Sequence, residues 1–173
     1  MVLEPQDLKL FFELWLPLLD YVNGKCKVLE GAAKTNGDMK SIADCLWARP
    51  QMIDEYLAQA GLPEERAELV AAWKRCIPGR FFIERHLKKG SVFIHTEGGA
   101  VYLVSGLQST WEEMLDGRPL PAMVDTTLIP FRGRIVTDGL IALSRVRFGR
   151  NYREELREIY MNAKKSGELH LII

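Results

Sequence analysis

Residues that build metal sites and disulfide frameworks are scarce in this chain. It has three cysteines and three histidines in 173 residues, and no two cysteines form a Cys-x-x-Cys pair. Cys26, Cys45 and Cys76 are far apart and odd in number, which predicts neither a structural zinc site nor a set of disulfides. Three reduced cysteines are typical of a cytoplasmic protein, so the sequence predicts that location.

The net charge is zero, because 23 basic side chains balance 23 acidic ones. A chain without excess positive charge has no general attraction for nucleic acid or an anionic membrane, so the composition argues against both as partners. The longest apolar stretch, 8–22, contains Lys9, Glu13 and Asp20. It is too short to cross a bilayer. The first residues are acidic, whereas a secretory signal peptide begins with basic ones.

Recognisable catalytic and nucleotide-binding motifs are absent. The chain contains no Gly-x-Ser-x-Gly, no His-Glu-x-x-His and no glycine-rich phosphate loop. The residues that could act as acids or bases are His95 with Glu97 at a hairpin end, Asp125, and Asp138 before Gly139. Each is more often structural, and Asp138 with Gly139 is more typical of a turn or bulge. The sequence therefore predicts no cofactor and no metal.

Residues 1–78 predict a helical block. Apolar spacing, helix-starting prolines and Gly61 as a terminator predict four helices, at 6–22, 38–48, 50–60 and 63–76. Pro17 should kink or break the first of them. That helix has so wide an apolar surface that we expect it in the core or at a subunit contact, which leaves a homodimer open. Pro78 and Gly79 should end the block.

Residues 79–173 predict short strands and two further helices. Strands are expected at 81–87, 91–95, 100–105, 122–129, 134–148 and 169–173, with helices from capping boxes at 109–112 and 151–154. The clearest segment is Leu128–Ile141, two apolar strands joined at Arg132-Gly133-Arg134, where Gly133 should adopt a positive φ. The predicted fold class is α+β, a helical N-terminal block packed on a mostly antiparallel C-terminal β-sheet with two helices. The two parts should form one compact unit with a shared core.

Several segments together resemble a known family. They are Arg49–Leu57, Trp73-Lys74, Gly79–Lys89 and Leu128–Ile141, in this order along the chain. So arranged, they resemble an uncharacterised bacterial and archaeal family of conserved hypothetical proteins, over about residues 8–165. Some relatives carry a C-terminal zinc motif of the SEC-C type, and no cysteine follows Cys76 here to form one. The resemblance implies a common fold and carries no activity with it.

Arginines are concentrated in the second half of the chain. Between 132 and 153 there are six arginines and one acid, Asp138. The cluster extends to residue 157 and consists of Arg132, Arg134, Arg145, Arg147, Arg150, Arg153 and Arg157. We expect Arg145 and Arg147, two apart, to share a strand face. Arg side chains match the geometry of phosphate and carboxylate groups.

Three functions follow from these features. A non-enzymatic binding or interaction module, with a protein partner or a second copy, agrees best with the absence of catalytic motifs. A phosphate-ligand or nucleic-acid binder would use the arginine cluster, above all Arg132, Arg134, Arg145, Arg147 and Arg150. An enzyme of unidentified class would use His95, Glu97 or Asp138. The simplest interpretation of the arginines is a solvated face paired with acids such as Glu154 and Glu158.

Overall fold

The computed structural model describes residues 1–173. Its helices are α1 (Pro5–Cys26), α2 (Asn36–Trp47), α3 (Met52–Ala60), α4 (Glu64–Ala72), α5 (Trp111–Leu115) and α6 (Arg150–Ser166). Its strands are β1 (Ile77–Leu87), β2 (Gly90–His95), β3 (Val101–Val104), β4 (Ala122–Phe131), β5 (Arg134–Thr137), β6 (Ala142–Leu143) and β7 (Leu169–His170). The predicted α+β class is confirmed, with four helices before a mostly antiparallel sheet and two helices within the second half.

Five strands close into a barrel. Their order is β1-β2-β3-β5-β4, and β4 pairs back onto β1. All of these pairings are antiparallel except β3 with β5, which meet at Val104 and Ile135. This order, with a helix between the third and fourth strands, is that of the OB barrel, a partly open Greek-key architecture. The helix is α5, whose Trp111 packs edge-to-face on Phe93 in the barrel interior.

The hairpin of β4 and β5 is buried on both faces. Successive strand residues point to opposite sides, and here each side has its own core. Leu128 and Ile135 belong to the apolar core inside the barrel. Ile129 and Val136 belong to the core formed with the helical block, which also contains Trp15 and Trp73. The continuous apolar run in this part of the sequence therefore reflects a wall shared by two cores.

The last helix covers the outside of the barrel. Leu156, Tyr160 and Ala163 of α6 pack against Phe82 of β1 and Val92 of β2. OB barrels use the outer face of their second and third strands, with neighbouring loops, to bind oligonucleotides and oligosaccharides. In this protein α6 packs on that part of the barrel, so the face is not open to a polymer.

Three helix starts differ from the sequence prediction. The capping box of α2 pairs Thr35 with Asp38, so Asp38 is the third helical residue rather than the cap. The box of α5 pairs Thr110 with Glu113, one residue later than predicted. The cap of α6 is Gly149, which has no side chain to donate or accept. For α2 and α5 a neighbouring polar residue caps the helix instead of the one predicted, and α6 begins without a side-chain cap.

Pro17 does not break the first helix, which was one of the two outcomes predicted for it. Pro17 lies inside α1, which continues for another nine residues to Cys26. Burial of Leu14, Leu18 and Leu19 in the helical core stabilises this helix beyond what its local sequence supports. The helical block ends just before Pro78 and Gly79, as predicted, since β1 begins at Ile77. These two residues already lie within the strand, where they pair with Thr127 and Thr126 of β4.

The cysteines differ from the prediction as well. Cys26 at the end of α1 and Cys45 on α2 form a disulfide, and only Cys76 is free. The guanidinium of Arg49 lies 2.9 Å from one sulfur and 3.0 Å from the other. The expectation of three reduced cysteines is therefore wrong, and the argument it gave for a cytoplasmic location no longer holds. None of the helices combines the length and apolar character needed to span a bilayer.

The turn between β4 and β5 gives a stability prediction. Phe131 pairs with Arg134, so the loop is Arg132 and Gly133, with φ of 45° and 72°. This confirms the positive φ predicted for Gly133 and is the pattern of a type I′ turn. Gly133→Val should reduce the free energy of unfolding by about 1–3 kcal/mol, because a β-branched residue is strained there. The measurement is a urea denaturation curve.

The control is Gly24→Val. Gly24 lies in α1 without a positive φ, and a Cβ added there meets nothing within 4 Å. This variant should keep its midpoint, since Val has a slightly better helix propensity than Gly. Equal midpoints for both variants and the wild type would show that Gly133 is conformationally ordinary.

Candidate anion-binding cleft

The arginines of the sequence cluster lie at separate places. Arg132 and Arg134 are at the hairpin tip, beside the helical block. Arg145 and Arg147 follow β6 in an irregular segment, and Arg150 begins α6. The cluster is therefore contiguous in sequence but divided in space.

The hairpin arginines have partners within the protein. Arg132 forms ion pairs with Asp7 of α1 and Glu65 of α4, both at 3.2 Å. Arg134 donates to the backbone carbonyl of Val2 at 3.2 Å. These contacts tie the hairpin to the helices. The structure therefore gives these two candidate ligand residues a structural explanation.

Arg145 and Arg147 do not lie on a strand, so the prediction that they share a strand face is wrong. The returning strand stops at Thr137, resumes only at Ala142–Leu143, and leaves residues 144–149 without regular structure. The buried Asp138 and the positive φ of Gly139 interrupt the strand. Arg145 and Arg147 nevertheless converge, because both line one surface cleft.

This cleft, the arginine cleft, is lined by four arginines and by no acidic residue. It has a volume of about 260 Å³, and its walls come from the α5–β4 connection, residues 144–148 and the first turns of α6. The charged residues that line it are Arg118, Arg145, Arg147 and Arg153. None of them forms an ion pair with Asp or Glu within 4.0 Å, in contrast to Arg132 and Arg150. Arg153 is positioned by donation from its Nε to the Phe148 carbonyl at 3.1 Å.

Two of these arginines were not among the predicted ligand residues. Arg118 stands between Gly117 and Pro119, apart in sequence from the cluster, and no local pattern links it to residues 145–153. Arg153 belonged to the cluster but was not among the ligand candidates. Arg150 was a predicted ligand residue, but its side chain is 89% exposed and pairs with Glu154 at 2.9 Å. Only a fold that brings the α5–β4 connection against the start of α6 assembles the cleft.

The predicted acid–base residues are not brought together. Nδ1 of His95 contacts the backbone nitrogen and carbonyl of Glu97, at 3.0 and 2.9 Å. Its ring packs edge-to-face on Phe81. Asp125 lies 3.7 Å from Lys40. Neither His95 nor Glu97 lines the cavity that holds Asp138.

Asp138 is a buried carboxylate directly after β5. It is 3% exposed. Trp47 Nε1 donates to its Oδ2 at 2.8 Å and the Leu140 amide donates to its Oδ1 at 3.0 Å. Burial raises the pKa of this carboxyl to about 6, although the hydrogen bonds and the charge of Lys40 act to lower it. Asp138 therefore links α2 to the end of β5.

Two further observations bear on catalysis and metals. Burial raises the pKa of the Cys76 thiol to about 11, so it is not an activated nucleophile. No group of three or more His, Cys, Asp or Glu side chains is placed to hold a metal ion.

Comparison with known proteins returns nothing that assigns this arrangement. No protein-family model, no curated protein and no solved structure matches the chain. Membership of the bacterial and archaeal family stays a prediction.

The ionisation of Asp138 can be followed through its hydrogen bond to Trp47. The indole N–H resonance of Trp47 should titrate with a midpoint near pH 6, because its acceptor loses a proton there. The measurement is a ¹H–¹⁵N NMR pH series, with Asp138→Asn to confirm the assignment. A midpoint near the ordinary 3.8 would contradict the burial argument.

The same shift predicts a direction for stability. The unfolded chain loses this proton near pH 4 and the folded chain near pH 6, so raising the pH across this window favours unfolding. At about 1.4 kcal/mol per pKa unit, the loss from this group is about 3 kcal/mol. It should appear as a difference between wild type and Asp138→Asn in denaturation midpoints measured across the window. A constant difference would show that the folded and unfolded pKa values are the same.

Proposed function

We propose that this protein is a non-enzymatic binding module that takes a phosphate-bearing small molecule in the arginine cleft. The observation that carries the proposal is the convergence of Arg118, Arg145, Arg147 and Arg153 on one concavity without any carboxylate. Guanidinium groups are pre-organised forks for phosphate oxygens, and bonds to charged acceptors are about twice as strong as neutral ones.

Charge distribution elsewhere in the protein supports this choice. Residues 1–78 contain nine basic and twelve acidic side chains, so acids are plentiful in the molecule as a whole. Arg132 and Arg66 pair with acids of the helical block. The cleft arginines have no acidic partner, which leaves their guanidinium donors for a ligand, apart from Arg153 Nε, which donates to the Phe148 carbonyl. Arg153 belongs to the first turn of α6, which contains no acidic residue, and the nearest acid along the helix, Glu154, is paired with Arg150.

Phe148 gives the cleft an apolar wall. Its ring stacks on Tyr152 with centroids 5.2 Å apart and meets the edge of Phe82 at the same distance. These contacts fix the ring beside the guanidinium groups. A rigid wall of this kind limits the cleft to a compact ligand and lowers the ordering cost of binding.

A small ligand fits these observations better than nucleic acid. The net charge is zero. The barrel face that nucleic acids use in OB architectures lies under α6. A single cleft of about 260 Å³ is suited to one phosphate group with its immediate neighbours.

Tripolyphosphate is a suitable first probe for this proposal. We expect it to bind the wild-type protein in isothermal titration calorimetry at low salt. Arg145→Ala with Arg147→Ala should weaken binding by at least tenfold, because each lost charged hydrogen bond is worth about 1.5–3 kcal/mol. Both side chains are exposed and unpaired, so stability should change by less than about 0.5 kcal/mol.

The matched control removes the same charge elsewhere. Arg75 and Arg157 are exposed, form no ion pair and lie outside the cleft, so Arg75→Ala with Arg157→Ala should retain binding. An equal loss in both double variants would reveal a general charge effect. A wild-type titration without heat would refute the proposal.

Nucleic acid is tested by the same approach. Titrations with generic single- and double-stranded DNA should be flat at low salt, where release of counterions makes such binding strongest. Binding with a steep salt dependence that disappears in the Arg145 and Arg147 variant would instead assign the cleft to a nucleic-acid backbone.

A further inference from the structure

A second concavity lies between the helical block and the barrel. It has a volume of about 430 Å³, which falls in the range of small-molecule sites. Its walls come from α1, the start of α2, residues 107–109, α5 and residues 137–141. It shares no lining residue with the arginine cleft.

Most of this cavity is apolar. Trp15, Met39, Leu107 and Met114 are among its lining side chains. Phe12 and Leu16, one helical turn apart on α1, also line it and remain 37% and 45% exposed. Large apolar side chains left this exposed beside a concavity are typical of a surface that excludes water when a ligand is bound.

Asp138 is the only charged residue that lines the cavity. No lysine or arginine is among the lining residues. The carboxylate accepts one bond at Oδ2, from Trp47. Its Oδ1 accepts a hydrogen bond from the Leu140 amide. The Thr126 hydroxyl lies 3.4 Å from Oδ1 and 3.1 Å from the Leu140 carbonyl oxygen, so the carbonyl is its nearer acceptor. Since an ionised carboxylate has about four acceptor positions, Oδ2 keeps capacity for one more donor.

We propose that this cavity is a binding site for an apolar amine, with the ammonium group at Asp138 and the hydrocarbon or aromatic part against the side chains of α1 and α5. A buried negative charge among apolar walls repels anions and strengthens its attraction for a cation, because the surroundings screen it weakly. An ammonium group supplies both the positive charge and the hydrogen-bond donor that Oδ2 can accept. The occupant is thus defined by a single cationic end and a compact apolar body.

The charged groups around Asp138 agree with this assignment. Lys40 of α2 is the cation whose charge acts on the carboxylate, but it is paired with Asp44 at 2.9 Å and with Asp125 at 3.7 Å. Cys76 is a neutral thiol at ordinary pH. The Asp138 carboxylate therefore has no ion pair of its own within 4.0 Å in the protein.

Three probes with one skeleton test the proposal: phenylbutylamine, phenylbutanol and phenylbutyrate. Binding can be followed by tryptophan fluorescence, because Trp15 lines the cavity and stacks on Trp47 with ring centroids 5.5 Å apart. We expect the amine to bind more tightly than the alcohol by about tenfold or more, and the carboxylate to bind least. The preference for the amine should fall from pH 7.5 to pH 5, as Asp138 takes up a proton.

Variants at the exposed rim keep the test independent of folding. Leu16→Arg places a cation at the cavity, and Leu16→Gln removes the same apolar contact without charge. The amine should bind more weakly to Leu16→Arg than to Leu16→Gln, whereas the alcohol should bind both equally. Asp138→Asn, where it folds, should abolish the preference for the amine.

Three results would overturn the proposal. They are no fluorescence change with any probe, equal affinity for the amine and the alcohol, and tightest binding of the carboxylate. Equal amine binding by the two Leu16 variants would also contradict it, because the ammonium would then not sense charge at this cavity.

Discussion

The β4–β5 hairpin is buried on both faces, and both large apolar cores of the protein are packed against it. Leu128 and Ile135 face the barrel interior, and Ile129 and Val136 face the helical block. The sheet therefore has no solvated side along this hairpin, and the same two strands form part of both cores. Arg132 fixes the hairpin tip to α1 and α4, and Asp138 fixes its far end to Trp47 of α2. The apolar cavity adjoins the end of β5 at Thr137, and the arginine cleft adjoins the start of β4 at Ala122.

The sequence predicted this hairpin well because its signals are local. Two apolar runs separated by a glycine define strands and a turn, and the positive φ of Gly133 follows from the turn type. The α+β class followed from the helical pattern of residues 1–78 and the short strand patterns after it. Closure of the barrel was not predictable, because the pairing of β1 with β4 and the parallel contact of Val104 with Ile135 join distant segments. Helix starts were predicted to within a few residues, since capping depends on which of several neighbouring polar residues packing selects.

The functional residues were harder to predict because contacts between distant parts of the chain decide their surroundings. The arginine cluster was visible in the sequence, but its division between ion-paired hairpin residues and unpaired cleft residues depends on where acids of the helical block lie. Arg118 joins the cleft only through tertiary structure. Asp138 was weighed as a turn residue, and Gly139 after it does take a positive φ. What the sequence did not reveal is that this carboxylate is 3% exposed and hydrogen-bonded to an indole 91 residues away.

The most direct test of the proposed binding function is amide chemical-shift mapping during a tripolyphosphate titration. The resonances that shift should belong to Arg118, to residues 144–148 and to the first turn of α6. Those of Arg132 and Gly133, at the paired hairpin tip, should stay in place. Shifts confined to the hairpin tip, or spread evenly over the basic side chains of the surface, would contradict the assignment of the cleft.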